Sequence, residues 1–248
     1  MEIIPVPGLP EIRGGADLAG LIVNAARRAK IAFQSGDVVV VAQKVISKAE
    51  RRLVRLSAIS PSPQALEFAA PATRNRDPRL VEVILRESRR VVRREPVLIV
   101  ETRHGFVCAN AGVDQSNVPG RDVVTLLPRD PDRSARSLAV ALQKRTGARV
   151  AVIISDTFGR PWRLGLTNVA IGAAGVPVLL DLRGQPDRGG KTLHATTLAV
   201  ADELACAAGL LMRKVDGIPV VIIRGYRYQP VSEPASRILR PASEDLFR

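Results

Sequence analysis

Three short stretches hold the side chains that could do chemistry together. In Arg149–Gly172 the β-branched run Val150–Ile154 reads as a buried strand ending at Ser155-Asp156-Thr157, which puts a carboxylate and a hydroxyl at a strand's C-terminal end. In Asn110–Asn117, Asp114 is followed by Gln115, Ser116 and Asn117, poor formers of helix and strand, so the segment reads as a loop. Asx-type turns would explain that loop by themselves. Yet Asp114 and Asp156 each follow an apolar strand-like segment, and carboxylate, amide and hydroxyl oxygens are the hard ligands that Mg²⁺ or Mn²⁺ prefer. Two such loops can share one metal. The third stretch, Gln43-Lys44-Val45-Ile46-Ser47-Lys48, is delivered by the apolar strand Val38–Ala42, and its lysines, Gln and Ser suit phosphate contact as well as a solvated helix face.

Beyond Asp156, the span Gly159–Asn168 packs Arg160, Arg163, the only Trp and several small polar residues together. It reads as a loop able to hold an anion, with Arg160 and Arg163 as weak candidates for phosphate or substrate carboxylate. Two other features carry less. His104 sits between two strand-like segments with no second ligand at metal spacing, so it reads as a turn residue. Gly184–Thr192 mimics a phosphate loop, but the G-x-x-x-x-G-K-T pattern needs Gly where Gln185 stands.

The elements that would position these groups follow from periodicity. Helices are expected from Asp17 to about Phe33, over Pro63–Ala70, from Asp77-Pro78 through Glu87 with the Arg89–Arg94 run ending it, over Asp130–Thr146 with Gly147 as C-cap, and over Thr196–Met212. Asp202 and Glu203 then fall on the wet face of the last helix. Strands are expected at Ile3–Val6, Val38–Ala42, Val97–Thr102, Phe106–Ala109, Val150–Ile154, Val169–Ala174, Val176–Leu182 and Val220–Ile223. Taken alone, this order suggests an ordinary α/β sandwich.

At 248 residues and 46% hydrophobic content the chain can bury a large core. Its net charge of +13 invites a nucleic-acid reading, but aromatics are only 3%, no binding module is apparent and the arginines are scattered. Such a field equally concentrates an acidic small molecule or nucleotide. The start lacks a signal-peptide pattern and no apolar run reaches membrane-spanning length, so a cytoplasmic protein without membrane or nucleic-acid partners is expected. Cys108 and Cys206 read as reduced, buried small hydrophobes.

Five segments, GDVVVVAQKVISKAE (36–50), TRHGFVCANAGVDQSNVPG (102–120), VAVIISDTFGRPWRLGLTNVAIG (150–172), LLDLRGQPDRGG (179–190) and VADELACAAGLLM (200–212), together resemble the coenzyme F420-0:γ-glutamyl ligase family over nearly the whole chain. At 248 residues the chain is expected to lack the FMN-binding, nitroreductase-like domain of the family's longer members. The resemblance implies a mixed α+β fold in one unit, residues 1–248, forming an intertwined homodimer, with 229–248 as a surface arm or interface tail. It implies a ligase that uses GTP, Mg²⁺ or Mn²⁺, and K⁺ to join L-glutamate to F420-0 by γ-linked amide bonds through an acyl phosphate.

Position by position, Asp114 and Asp156 match metal ligands and Thr157 a second-metal contact. Leu9, Pro10, Glu11, Ile12, Gln43, Lys48, Asn117 and the Met212–Pro219 turn, with Arg213 and Lys214, match nucleotide contacts. Lys48 joins Asp114 and Asp156 as the expected catalytic set. Two departures bear on selectivity: Gly165-Leu166-Thr167-Asn168 stands where GQTD is usual, and Arg213 where Gly is usual. A metal-dependent nucleotide phosphohydrolase would use the same acidic pair, and a basic nucleic-acid-binding protein is the remaining alternative.

Overall fold

The computed structural model describes residues 1–70, 76–118, 120 and 122–245. In chain order the elements are β1 (Glu2–Pro5), α1 (Leu18–Arg28), β2 (Val38–Ala42), α2 (Gln43–Ala49), β3 (Leu53–Arg55), α3 (Pro63–Ala69), α4 (Pro78–Arg86), β4 (Ser88–Arg93), β5 (Ile99–Thr102), β6 (Val107–Ala109), β7 (Val123–Thr125), α5 (Pro131–Thr146), β8 (Ala151–Arg160), β9 (Arg163–Ala174), β10 (Leu180–Asp181), β11 (Thr197–Leu198), α6 (Val200–Gly209) and β12 (Val220–Arg224). The architecture is mixed α+β rather than the sandwich that periodicity alone suggested. Its main sheet runs β1-β12-β2-β8-β9, and only the β2–β8 pair in it is parallel. Smaller sheets are formed by β4-β5-β6, β3-β7 and β10-β11.

The continuous valine and isoleucine runs are explained by cover on both faces. Val39, Val41, Val152, Ile154, Val220 and Ile222 pack with α1 and α5, while Val38, Val40, Ala151, Ile153, Val221 and Ile223 pack with α6. A third cluster joins Phe68, Val81, Ile84, Leu98, Val100 and Val124 around α3 and α4.

Helix ends follow local chemistry. Asp130 Oδ1 accepts from Arg133 N at 2.8 Å, Pro131 fills the first helical position, and Gly147 closes α5 at φ 75°, where a side chain would be strained. Asp17 caps α1 as expected, but α1 stops at Arg28 because Lys30 turns to φ 57°.

Four expectations are corrected. The Arg89–Arg94 run does not simply end a helix, since Ser88–Arg93 pairs with β5 as an edge strand where arginines face water. Arg160–Asn168 is not a loop: β8 and β9 continue as an antiparallel hairpin, with Thr157 opposite Asn168 and Arg160 opposite Arg163, turning at Pro161 and at Trp162 with φ 56°. Helix α6 begins at Val200 rather than Thr196, because Thr197–Leu198 is held as a strand against Leu180–Asp181, the only part of Val176–Leu182 that pairs as a strand. Cys206 is exposed, not buried, while Cys108 is buried as expected.

The chain's last stretch runs back over the sheet. Ala235 is fully buried, and its N–H donates to Asp132 Oδ1 at 2.8 Å, the same oxygen that accepts from Ala173 N at 2.8 Å. Residues 246–248 of the expected tail lie outside the described residues. Among the described residues no helix is long and apolar enough to cross a membrane.

Candidate functional site

The parallel pair β2–β8 ends with Ala42 in register with Ser155, so the loops leaving both strands open on the same side. That is where open α/β sheets gather ligands, because strand ends are rigid and the following backbone is exposed. A cleft of about 820 Å³ lies there. It is lined by Leu9–Ile12, Gln43, Lys44, Lys48, Asp114, Asn117, Asp156, Thr157 and the 212–219 turn, so the three chemistry-bearing stretches, far apart in sequence, meet in one place. Arg160 and Arg163 do not line it: Arg160 Nη2 donates to Leu164 O at 3.0 Å on the hairpin.

Asp114 is fixed by its own backbone before its side chain is considered. Its N–H donates to Thr125 O at 3.1 Å, and its carbonyl accepts from Thr125 N at 2.9 Å and from Thr125 Oγ1 at 3.1 Å. The carboxylate accepts from Ser116 N at 2.7 Å, from Ser116 Oγ at 3.0 Å and from Lys44 Nζ at 2.8 Å. Burial pushes this carboxyl up, but Lys44 and the Ser116 donors outweigh it and hold the group below its ordinary value.

Asp156 faces the opposite situation. Burial pushes its carboxyl up to about 6, the N–H of Thr157 opposes that, and the Asp114 charge adds to the rise. The nearby Cys108 thiol is pushed up to about 12 by burial and by the Asp156 charge, so it stays protonated and inert.

The donor set suits a small divalent cation. A buried carboxylate whose ionised form is disfavoured, beside a second carboxylate that repels it, is relieved by a metal between or beside them, and Mg²⁺ is typically held by one or two carboxylates plus substrate phosphates. Among the described residues no three His, Cys, Asp or Glu side chains are gathered as a metal cage.

On the nucleotide side, Lys48 Nζ lies 2.5 Å from Glu11 Oε1, tying α2 to the 9–12 turn. Gln43 is buried, its Oε1 accepts from Ser47 Oγ at 2.8 Å, and its Nε2 has no partner among the described residues, which leaves a donor at the cleft for a ligand oxygen. Asn117, at φ 56°, donates from Nδ2 to Lys214 O at 3.4 Å and so joins the acidic loop to the 212–219 turn.

Sequence reasoning singled out neither Lys44 in the cleft, nor its partner Ser116, nor the anchoring role of Asp202 outside it. Lys44 was only part of a basic stretch, Ser116 only a loop former, and Asp202 a wet-face residue. In the structure Asp202 Oδ1 accepts from Ala170 N at 2.8 Å and anchors α6 to β9, and burial raises its carboxyl's pKa. The signal for Lys44 and Ser116 was their adjacency to Gln43 and Asp114, but their pairing spans 72 residues.

The F420-0:Gamma-glutamyl ligase family profile matches residues 8–225. The chain is 45% identical over 252 residues to the coenzyme F420:L-glutamate ligase of Methanothermobacter thermautotrophicus, covering 100% of this chain and 99% of the relative. It is 47% identical over 254 residues to the protein of the same name from Methanopyrus kandleri, covering 100% and 98%. Against that of Methanocaldococcus jannaschii it is 41% identical over 244 residues, covering 97% and 94%. With a cleft that gathers the chemistry-bearing stretches and relatives of this identity end to end, the chain belongs to the F420-0:γ-glutamyl ligase family and is a ligase.

Proposed function

We propose that the protein joins L-glutamate to coenzyme F420-0, and to the γ-carboxyl of a glutamate already attached, through amide bonds in a GTP- and divalent-metal-dependent reaction. The observation that carries this reading is the meeting of Asp114 and Asp156 with Lys48, Gln43 and Asn117 in one cleft. Activation begins when an F420-0 carboxylate oxygen attacks the γ-phosphorus of GTP, forming an acyl phosphate as GDP leaves. The glutamate amine then attacks the acyl carbon, inorganic phosphate departs and the nitrogen loses its proton.

Neither step needs a protein nucleophile, so the chain's work is positioning and charge. Asp114 and Asp156 would hold Mg²⁺ or Mn²⁺, with Thr157 beside them, and the bound ion would neutralise phosphate charge. Lys48, held by Glu11, presents a cation beside the cleft, and Gln43 Nε2 offers its donor to a nucleotide oxygen. Asn117 and the 212–219 turn form the opposite nucleotide wall. The same reading carries a homodimer in the cytoplasm, with no nucleic-acid or membrane partner.

Mass spectrometry of F420-0 incubated with GTP, Mn²⁺ and L-glutamate tests it. A product heavier by one glutamyl unit is expected, and its absence would sink the proposal. GTP turnover indifferent to both F420-0 and glutamate would instead favour a phosphohydrolase.

A further inference from the structure

Lys44 reaches from the first turn of α2 into the acidic loop. Its ammonium nitrogen lies 2.8 Å from Asp114 Oδ2, 2.6 Å from Ser116 Oγ and 3.1 Å from the Ser116 carbonyl oxygen. An ammonium has three N–H donors and no acceptor, so these three oxygens use its full capacity. They are a carboxylate, a hydroxyl and a carbonyl, the mixed hard-oxygen set that an alkali or alkaline-earth cation takes.

The seat is built rather than incidental. Ser116 bonds the same carboxylate through both its N–H and its Oγ, so one turn of chain presents all three oxygens together. The Lys44 side chain is only 17% exposed, whereas Lys214, 3.9 Å from the same Asp114 oxygen, is 57% exposed and stands outside the three-oxygen contact. Lys48 is differently placed, since its ammonium is engaged by Glu11.

We propose that these three oxygens form a monovalent-cation seat which the chain fills with its own Lys44 ammonium, holding the Asp114 loop in its ligand-binding shape without K⁺. The family resemblance implied K⁺ as a helper. At this seat K⁺ does not fit alongside what is present, because it would have to displace an ammonium that the chain itself already holds on all three oxygens. Removing the ammonium should therefore create a K⁺ site. K⁺ and NH₄⁺ are close in size to the group lost, whereas Li⁺ is much smaller.

Thermal melting of the wild type and Lys44→Met in choline, lithium, potassium and ammonium chlorides at constant ionic strength tests this without calling on the ligase reaction. The wild type should melt at the same temperature in potassium as in choline. The variant should melt lower in choline and recover by roughly 3 °C in KCl or NH₄Cl at several-fold excess over the dissociation constant, but not in LiCl. A wild type stabilised by KCl as much as the variant, or a variant indifferent to K⁺ and NH₄⁺, overturns the proposal. Should Lys44→Met fail to fold, the wild type decides alone: equal melting in potassium and choline supports the filled seat, and a K⁺-dependent rise that saturates overturns it. Absence of F420-0 glutamylation would count against the ligase reading and leave this result standing.

Discussion

Asn168 Nδ2 donates to Ser155 Oγ at 3.3 Å, linking β9 to the strand end that carries Asp156, and also contacts Met212 Sδ at 3.9 Å. The same side chain packs so closely on α6 that a Cβ at Gly209 would meet its Cγ at 2.8 Å. One amide thus fixes the start of the 212–219 turn relative to β8.

Asn168→Asp removes the donor that makes both contacts. Steady-state kinetics should show KM for GTP rising roughly 3- to 10-fold, the worth of one to two modest hydrogen bonds, with a smaller change in kcat. An unchanged KM would mean the turn is positioned by other contacts.

Burial of Asp156 makes the stability of the fold depend on pH. The carboxyl's folded-state value, about 6, lies above the 3.8 of a free aspartate, so its contribution to stability is complete below 3.8 and is lost as pH rises through 6. In chelator-treated protein, the melting temperature of the wild type relative to Asp156→Asn should therefore fall between pH 5 and 7. A difference that stays flat across this window would remove the buried-carboxyl account. Asp156→Asn should also abolish turnover while leaving the fold intact by circular dichroism.

Gly172 lies where α5 meets β9, and an added Cβ would stand 2.5 Å from both the carbonyl carbon and oxygen of Pro131. Backbone cannot yield as a flexible side chain can. Gly172→Ala should cost about 3 kcal/mol or more in urea denaturation, at the upper end of overpacking penalties. A cost below about 1 kcal/mol would show that the helix can shift.

The thiols should separate cleanly. Native protein treated with a maleimide at pH 7.5 should take one label at exposed Cys206, with buried Cys108 reacting only after unfolding. Peptide mapping that finds Cys108 labelled first would contradict the burial that holds its thiol near 12.

Legibility in the sequence divided along physical lines. The strands Val38–Ala42, Val150–Ile154 and Val220–Ile223 announced themselves because burial on both faces demands uninterrupted apolar residues. The acidic tips were legible because loops following such strands are where polar groups gather without helix or strand propensity. The outer half of the β8–β9 hairpin was not. Leu164 is 99% exposed and Leu166 61%, so neither face is buried and no alternation reports the pairing. β4 was hidden similarly by arginines on an edge. Lys44 was illegible as a ligand of Asp114 because nothing local encodes a contact across 72 residues.

The sheet order has a consequence for biosynthesis. β12 lies between β1 and β2, pairing Ile3 with Ile223 on one side and Val38 with Ile223 on the other. β1 therefore has no sheet neighbour until β12, far along the chain, has been translated. Nascent chains ending before residue 220 should hold β1 unpaired and an open edge on β2, which makes them prone to aggregation and clearance. Completion of the sheet thus waits on β12, the strand that joins β1 to β2.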